Sequence, residues 1–191
     1  MGFYYHLLEK HDSAYYYYYQ SNKQYKALNE IKTQAEVLYN MAYIQEIEGD
    51  YVGCETNAIA SISLIEQLPE TESNLITLWD SNNIIAIVSA ELEDYDRALE
   101  YYNKFNDYRN ELNNPQLTNG YLMGVGEVYF EKGLYDEALS YYQEALSSNE
   151  IITLRADNLI KLGLVEFKKE NTIMKKYIDI VYFYFLYSRR P

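Results

Sequence analysis

Cysteine, proline and glycine are all scarce in this chain of 191 residues, which has 1 Cys, 3 Pro and 8 Gly. A single cysteine excludes an intrachain disulfide. So few turn-forming residues also argue against an all-β sandwich, which needs a tight turn every few residues, whereas the helix formers Leu, Glu, Ala and Lys abound. The expected class is all-α. Basic residues are short as well, with 16 Lys+Arg against 29 Asp+Glu, a net charge of −13 and a pI near 4.6. Nucleic-acid binding is disfavoured, because neutralising phosphates takes a basic surface. Long apolar runs are missing too: the longest, Tyr177 to Tyr187, is interrupted by Asp179 and closed by Arg189 and Arg190. That is well short of the roughly 20 residues a membrane span needs, so none is expected. Met1 to Lys10 has no basic start and reaches His6, Glu9 and Lys10 before any useful apolar stretch. The expected location is the cytoplasm.

What is present is apolar and aromatic. A hydrophobic share of 48% suffices for a packed core, and 24 tyrosines supply rings that can pack on one side and meet water on the other. Disorder is excluded on that composition. Charge is uneven: residues 1–154 carry 8 basic and 25 acidic side chains, while residues 155–191 carry 8 basic and 4 acidic. The acidity belongs to the body of the chain.

Three short words recur: Gly49-Asp50-Tyr51, Glu93-Asp94-Tyr95 and Gly133-Leu134-Tyr135, their tyrosines 44 and 40 residues apart. Each tyrosine is followed three residues later by a small residue, Cys54, Ala98 or Ala138, and Ala14 continues that series backwards by 40. Upstream of each word runs a helical apolar pattern, as in Leu38, Met41, Ala42 and Ile44 or Leu122, Val125, Gly126 and Tyr129; downstream runs another, as in Tyr135, Ala138, Leu139, Tyr142, Ala145 and Leu146. Each unit is thus a helix, a short turn and a helix.

Close approach of two antiparallel helices requires small side chains where they face each other, which Ala42, Ala86, Gly126 and Gly163 supply in the first helices and Cys54, Ala98 and Ala138 in the second. Asp50 and Asp94 stand where a carboxylate can accept from exposed N–H groups at a helix start. Gly49 and Gly133 suit a left-handed helix end.

These residues resemble the tetratricopeptide repeat family. The strongest unit is Asn119 to Glu150, where Leu122, Val125, Gly126, Tyr129, Gly133, Tyr135, Ala138, Tyr142 and Ala145 fall at the family's signature offsets. Ala35 to Glu66 and Trp79 to Leu112 match more loosely, with Ser61 and Phe105 at the late small position; Ser13 to Leu28 is similar to a second helix whose first helix is cut short, and Ala156 to Glu170 to a further first helix. The resemblance implies a right-handed α-solenoid of antiparallel helix pairs. Its expected organisation is a repeat array over residues 1–171, with a half unit at 1–30, units at about 33–67, 75–112 and 118–148, and the start of another at 152–171, followed by a divergent aromatic helix at 172–191. Spacings of 40 and 44 exceed the family's usual 34 and are similar to the extended repeats of bacterial regulators, including peptide-responsive ones.

No enzyme is expected. His11-Asp12-Ser13 holds the letters of a triad, but sequence neighbours project in different directions, so it reads as a helix start capped by Asp12 or Ser13. His6 and His11 are five apart, not the four that would share a helix face for a metal, and no Gly-rich phosphate loop exists; neither metal nor cofactor is expected. Cys54 sits at a packing position and reads as a buried, inert thiol. Glu91, Glu93, Asp94 and Asp96 read as a solvated turn. The run Tyr15 to Tyr19 covers all sides of a helix, so some of its rings pack and others stay exposed.

In the family the first helices line a concave groove, and its positions carry over to Glu36, Tyr39, Tyr43 and Glu46, to Asp80, Asn83, Ile87 and Ala90, and to Met123, Glu127 and Phe130. For Ile87 and Phe130 the competing role is packing against neighbouring repeats. The resemblance implies a scaffold for protein–protein interaction. Carboxylates beside aromatic and aliphatic groups would suit a peptide or protein segment carrying basic and apolar residues, in the sensing or docking region of a bacterial signalling protein. Tyr39 and Tyr43 stand where co-chaperone members begin a Lys and Asn clamp, so acidic chaperone tails should not bind. In the tail, Lys175 occupies a position that should be small, and the aromatic segment beyond it suggests an alternative: an assembly factor that homodimerises through residues 172–191.

Overall fold

The structure is a computed structural model that describes residues 1–112, 114–148 and 151–169. All regular structure among these residues is helical: α1 (Gly2–Leu7), α2 (His11–Leu28), α3 (Ile31–Ile47), α4 (Tyr51–Ile65), α5 (Glu72–Glu91), α6 (Tyr95–Leu112), α7 (Pro115–Glu131), α8 (Tyr135–Ser148) and α9 (Ile152–Lys168). Two compact units divide the chain, Met1–Phe105 and Asn106–Pro191, with the boundary inside α6.

The turns between helices share one backbone device. At Gly49 and Gly133 φ is +74°, and the glycine's own N–H and the next one reach back into the preceding helix: Gly49 N to Glu46 O at 3.0 Å with Asp50 N to Gln45 O at 2.8 Å, and Gly133 N to Phe130 O with Leu134 N to Tyr129 O, both at 2.9 Å. This is the Schellman ending of a helix, in which a left-handed residue lets the chain reverse while satisfying its last carbonyls. Glu93, Glu9 and Asn29 do the same without glycine, at φ of 59°, 54° and 56°. Glu9 N reaches His6 O at 2.9 Å and Lys10 N reaches Tyr5 O at 3.0 Å, so the α1–α2 joint is built like the α3–α4 joint. The six-residue α1 therefore stands before α2 as α3 stands before α4.

Side chains then start the helices. Asp50 accepts from Gly53 N at 3.0 Å, Asp94 from Arg97 N at 3.2 Å, Thr71 from Asn74 N at 3.3 Å and Asn114 from Gln116 N and Leu117 N at 3.0 and 3.2 Å. Asp50 is held in turn by Gln45 Nε2 at 2.7 Å, whose Oε1 accepts from Asn57 Nδ2 at 2.6 Å. The expected cap at Asp12 or Ser13 is not there. Helix α2 begins at His11 behind Lys10 with no side-chain cap, because the left-handed Glu9 brings the chain into the helix one residue early, and Asp12 sits in the first turn.

Packing follows the small residues. In unit 1, Ala42, Cys54, Ala58, Ile84, Ile85 and Val88 form one buried cluster across α3, α4 and α5, and Ala14, Tyr18, Val37, Met41 and Ile44 another across α2 and α3. Ser61 belongs to this layer: its hydroxyl donates to Ala35 O at 2.8 Å and lies 2.9 Å from the Ser81 hydroxyl, so its polar atom is fully used. The side chain of Phe105 lies outside those described. In unit 2, Ala138, Tyr142, Leu159, Leu162 and Val165 make the core between α8 and α9. Gly126 of α7 lets the buried Tyr142 ring approach so closely that a Cβ there would stand 2.5 Å from Cε1. The segment 172–191, with its expected aromatic helix, lies outside the described residues.

Candidate functional site

Helix periodicity places Glu36, Tyr39, Tyr43 and Glu46 on one stripe of α3, and Asp80, Asn83 and Ile87 on one stripe of α5. Unit 1 brings the two stripes together. Tyr39 packs its ring on the α3–α5 cluster, and its hydroxyl is held neutral by burial, then by the charge of Asp80, with smaller effects from Tyr43 and Glu46. Asp80 is half-buried, and desolvation pushes its carboxyl up to about 6. It has no salt-bridge or hydrogen-bond partner among the described residues. At the other end of the stripe Glu46 is raised, first by burial and then by the charge of Glu91. Two carboxylates there face each other across the ends of α3 and α5.

Aromatic rings extend the face towards α1. Tyr39 and Tyr43 lie 6.4 Å apart at 43°, and the His6 ring stacks on Tyr43 at 5.3 Å and 5°. His6 was passed over in the sequence because it was weighed only as a metal ligand. The signal was present: the 40-residue register that takes Cys54 to Ala14 takes Glu46 to His6. Glu91 was likewise absorbed into a solvated turn, although it stands eleven residues after Asp80 and so three turns along the same stripe. Glu36 pairs with Lys32 of its own helix at 3.7 Å.

The stripe of α7 lies in unit 2 and is otherwise engaged. Met123 and Phe130 pack against the α8–α9 core. Glu127 Oε2 accepts from the Tyr142 hydroxyl at 2.8 Å and pairs with Lys161 Nζ at 2.6 Å. These three side chains serve the packing of unit 2. Away from the face, a polar depression of about 400 Å³ lies at the joints, lined by Glu9, Lys10, His11, Asp12, Ser13 and Glu48, where His11 Nδ1 pairs with Glu48. Cys54 is buried, and burial pushes its thiol up to about 12, with Glu46, Glu55 and Asp50 adding to the shift. No group of three or more His, Cys, Asp or Glu able to hold a metal exists among the described residues, and none of their helices is long and apolar enough to cross a membrane.

A family model for the tetratricopeptide repeat matches residues 120–151, the α7–α8 pair with its Gly126–Tyr142 contact. Residues 120–151 are thus similar to a tetratricopeptide repeat. Solved structures of repeat proteins align along nearly the whole chain. The apo form of RapI aligns with a TM-score of 0.84 at 21% identity, covering 98% of this chain and 68% of RapI. A Podosopora anserina kinesin light chain protein of nearly identical TPR-like repeats gives 0.74 at 11%, covering 100% of this chain and 94% of that one. BtubC (BKLC) from P. vanneervenii gives 0.58 at 13%, covering 96% and 94%. A comparison with curated proteins finds no match. The fold is thus a tetratricopeptide-like α-solenoid of antiparallel helix pairs, a kind of fold that generally serves as a non-enzymatic binding scaffold.

Proposed function

We propose that this chain is a scaffold that docks a peptide or protein segment on the α3–α5 face, and that it performs no catalysis. The observation that carries the reading is Asp80: a half-buried carboxylate with no partner among the described residues, set beside Tyr39 on a face that also bears Tyr43, Glu46 and Ile87. An unpaired charge at a desolvated position is unfavourable in the free protein, so a cationic side chain placed there gains more than it would at an exposed carboxylate. Apolar residues on either side would rest on the tyrosines and Ile87. The segment that fits therefore carries basic and apolar residues. Groove residues Asn83 and Glu36 border this face; Met123, Glu127 and Phe130 are assigned to packing instead.

The setting proposed is the sensing or docking part of a bacterial signalling protein, supported by the long repeats and by likeness to the RapI fold. A synthetic peptide array, varying the number of basic and apolar residues, tests the docking. Retention of basic–apolar peptides should fall at least tenfold in Asp80→Asn and in Glu46→Lys; equal retention by both variants and the unaltered chain would count against the reading.

A further inference from the structure

At the N-terminal end of unit 1 the outer side of α1 is uncovered and apolar. Phe3 is 65% exposed, Tyr4 57%, Leu7 64% and Leu8 47%, and Tyr16 and Tyr19 of α2 are 57% and 41% exposed. Phe3 and Leu7 stand one turn apart on one stripe. A chain of rings joins the two helices into a single surface: Tyr4 meets Tyr5 edge-on at 5.6 Å, Tyr5 stacks on Tyr17 at 5.3 Å, and Tyr17 meets Tyr16 edge-on at 5.3 Å. Contiguous apolar patches of this extent mark contact sites.

We propose that this face is a two-fold interface at which the α1–α2 rings of one protomer pack on those of a second copy of the same chain. Area supports this. At roughly 200 Å² for a whole aromatic side chain, the exposed parts of these residues amount to on the order of 700 Å², close to the ~800 Å² per partner of a stable interface. Charge selects the partner. Residues 1–30 are balanced, with Lys10, Lys23 and Lys26 against Glu9, Asp12 and Glu30, whereas residues 31–154 carry 22 acidic and 5 basic side chains. Two copies that meet through α1 and α2 join charge-balanced segments rather than strongly acidic ones. A basic partner would be drawn to the acidic body, and a strongly acidic one would find no surplus positive charge at this end. Tyrosine and phenylalanine also lose little rotamer freedom on contact, which suits an interface built mainly from them.

This interface differs from dimerisation through residues 172–191, and the two are separable in the full chain. Sedimentation velocity between 1 and 100 µM should give twice the 22.6 kDa monomer mass. Phe3→Glu combined with Leu7→Glu, and separately Tyr16→Glu on the long helix α2, should each weaken the dimer at least tenfold while the helical circular dichroism of the chain is kept. The Tyr16 variant keeps the test decisive if charges on the short α1 unwind it. A monomer throughout the range overturns the proposal. So does a dimer that both variants leave unchanged, or one that only Phe183→Glu with Phe185→Glu dissolves.

Discussion

The Tyr142 hydroxyl and the Lys161 ammonium converge on the same oxygen of Glu127, at 2.8 and 2.6 Å, so that one carboxylate ties α7 to both α8 and α9. Burial and the charge of Glu127 together keep the phenol neutral. Glu127→Lys would set two cations side by side and strand a buried hydroxyl, for a loss of about 1–3 kcal/mol after allowing for the partial exposure of the pair. Glu46→Lys removes a repulsion with Glu91 and should leave stability unchanged or slightly improved. Urea denaturation of the two variants checks the contrast, and similar midpoints would show that Glu127 does not hold the helices.

Gly126 tests the close approach directly. Its missing Cβ would fall 2.5 Å from Tyr142 Cε1 and 2.8 Å from Cδ1, and that ring is fully buried. Gly126→Ala should cost about 1–3 kcal/mol and lower the thermal midpoint, although alanine favours helix elsewhere. A midpoint equal to or above that of the unaltered chain would mean that the ring can shift.

Asp80 predicts an unusual dependence on pH. Its carboxyl is raised to about 6 in the folded state from the ordinary 3.8, so between these values the folded chain holds a proton that the unfolded chain has released. Stability from this group is therefore full below about pH 4 and is lost as pH rises towards about 6. Asp80→Asn should stabilise by on the order of 1–2 kcal/mol at pH 7.5 and by almost nothing at pH 4. Unfolding free energies measured at the two pH values decide it; equal gains at both would place the benefit elsewhere.

Acidic chaperone tails should not bind. The face where such a tail would lie offers Tyr39, Tyr43, Glu46 and Asp80 rather than lysines, and its carboxylates are already destabilised, Asp80 by burial and Glu46 by burial and the charge of Glu91. Fluorescence anisotropy with a labelled peptide ending in acidic residues and a free carboxylate should show no saturation up to about 1 mM, against the −8.2 kcal/mol that a micromolar complex requires. A micromolar dissociation constant would overturn the charge argument.

The helix pairs were legible because spacing alone reports them: a tyrosine, then a small residue three positions on, recurs every 40 or 44 residues, and Ala98, Cys54 and Ala138 are all fully buried. The caps at Asp50 and Asp94 were legible for the same reason, since the residue type and its place before an apolar run name the role. Three left-handed turns were not, because Glu9, Asn29 and Glu93 adopt by tertiary demand what glycine adopts freely. The groove positions come from the family resemblance, which names Tyr39 and Asp80 one helix at a time; it does not give what the neighbouring helix contributes. The ties of Glu127 to Tyr142 and Lys161, and the ring of His6 on Tyr43, depend on packing between elements and could be seen only there.

The shared joint leaves room for improvement by design. At Glu9 and Glu93 a side chain with a Cβ is held at φ of 54° and 59°, a conformation that costs an ordinary residue roughly 1 kcal/mol and glycine almost nothing. Substituting glycine at both positions would relieve that strain in the α1–α2 and α5–α6 turns without touching the α3–α5 face, less the entropy glycine adds to the unfolded chain, giving a more stable variant in which to look for weakly bound segments.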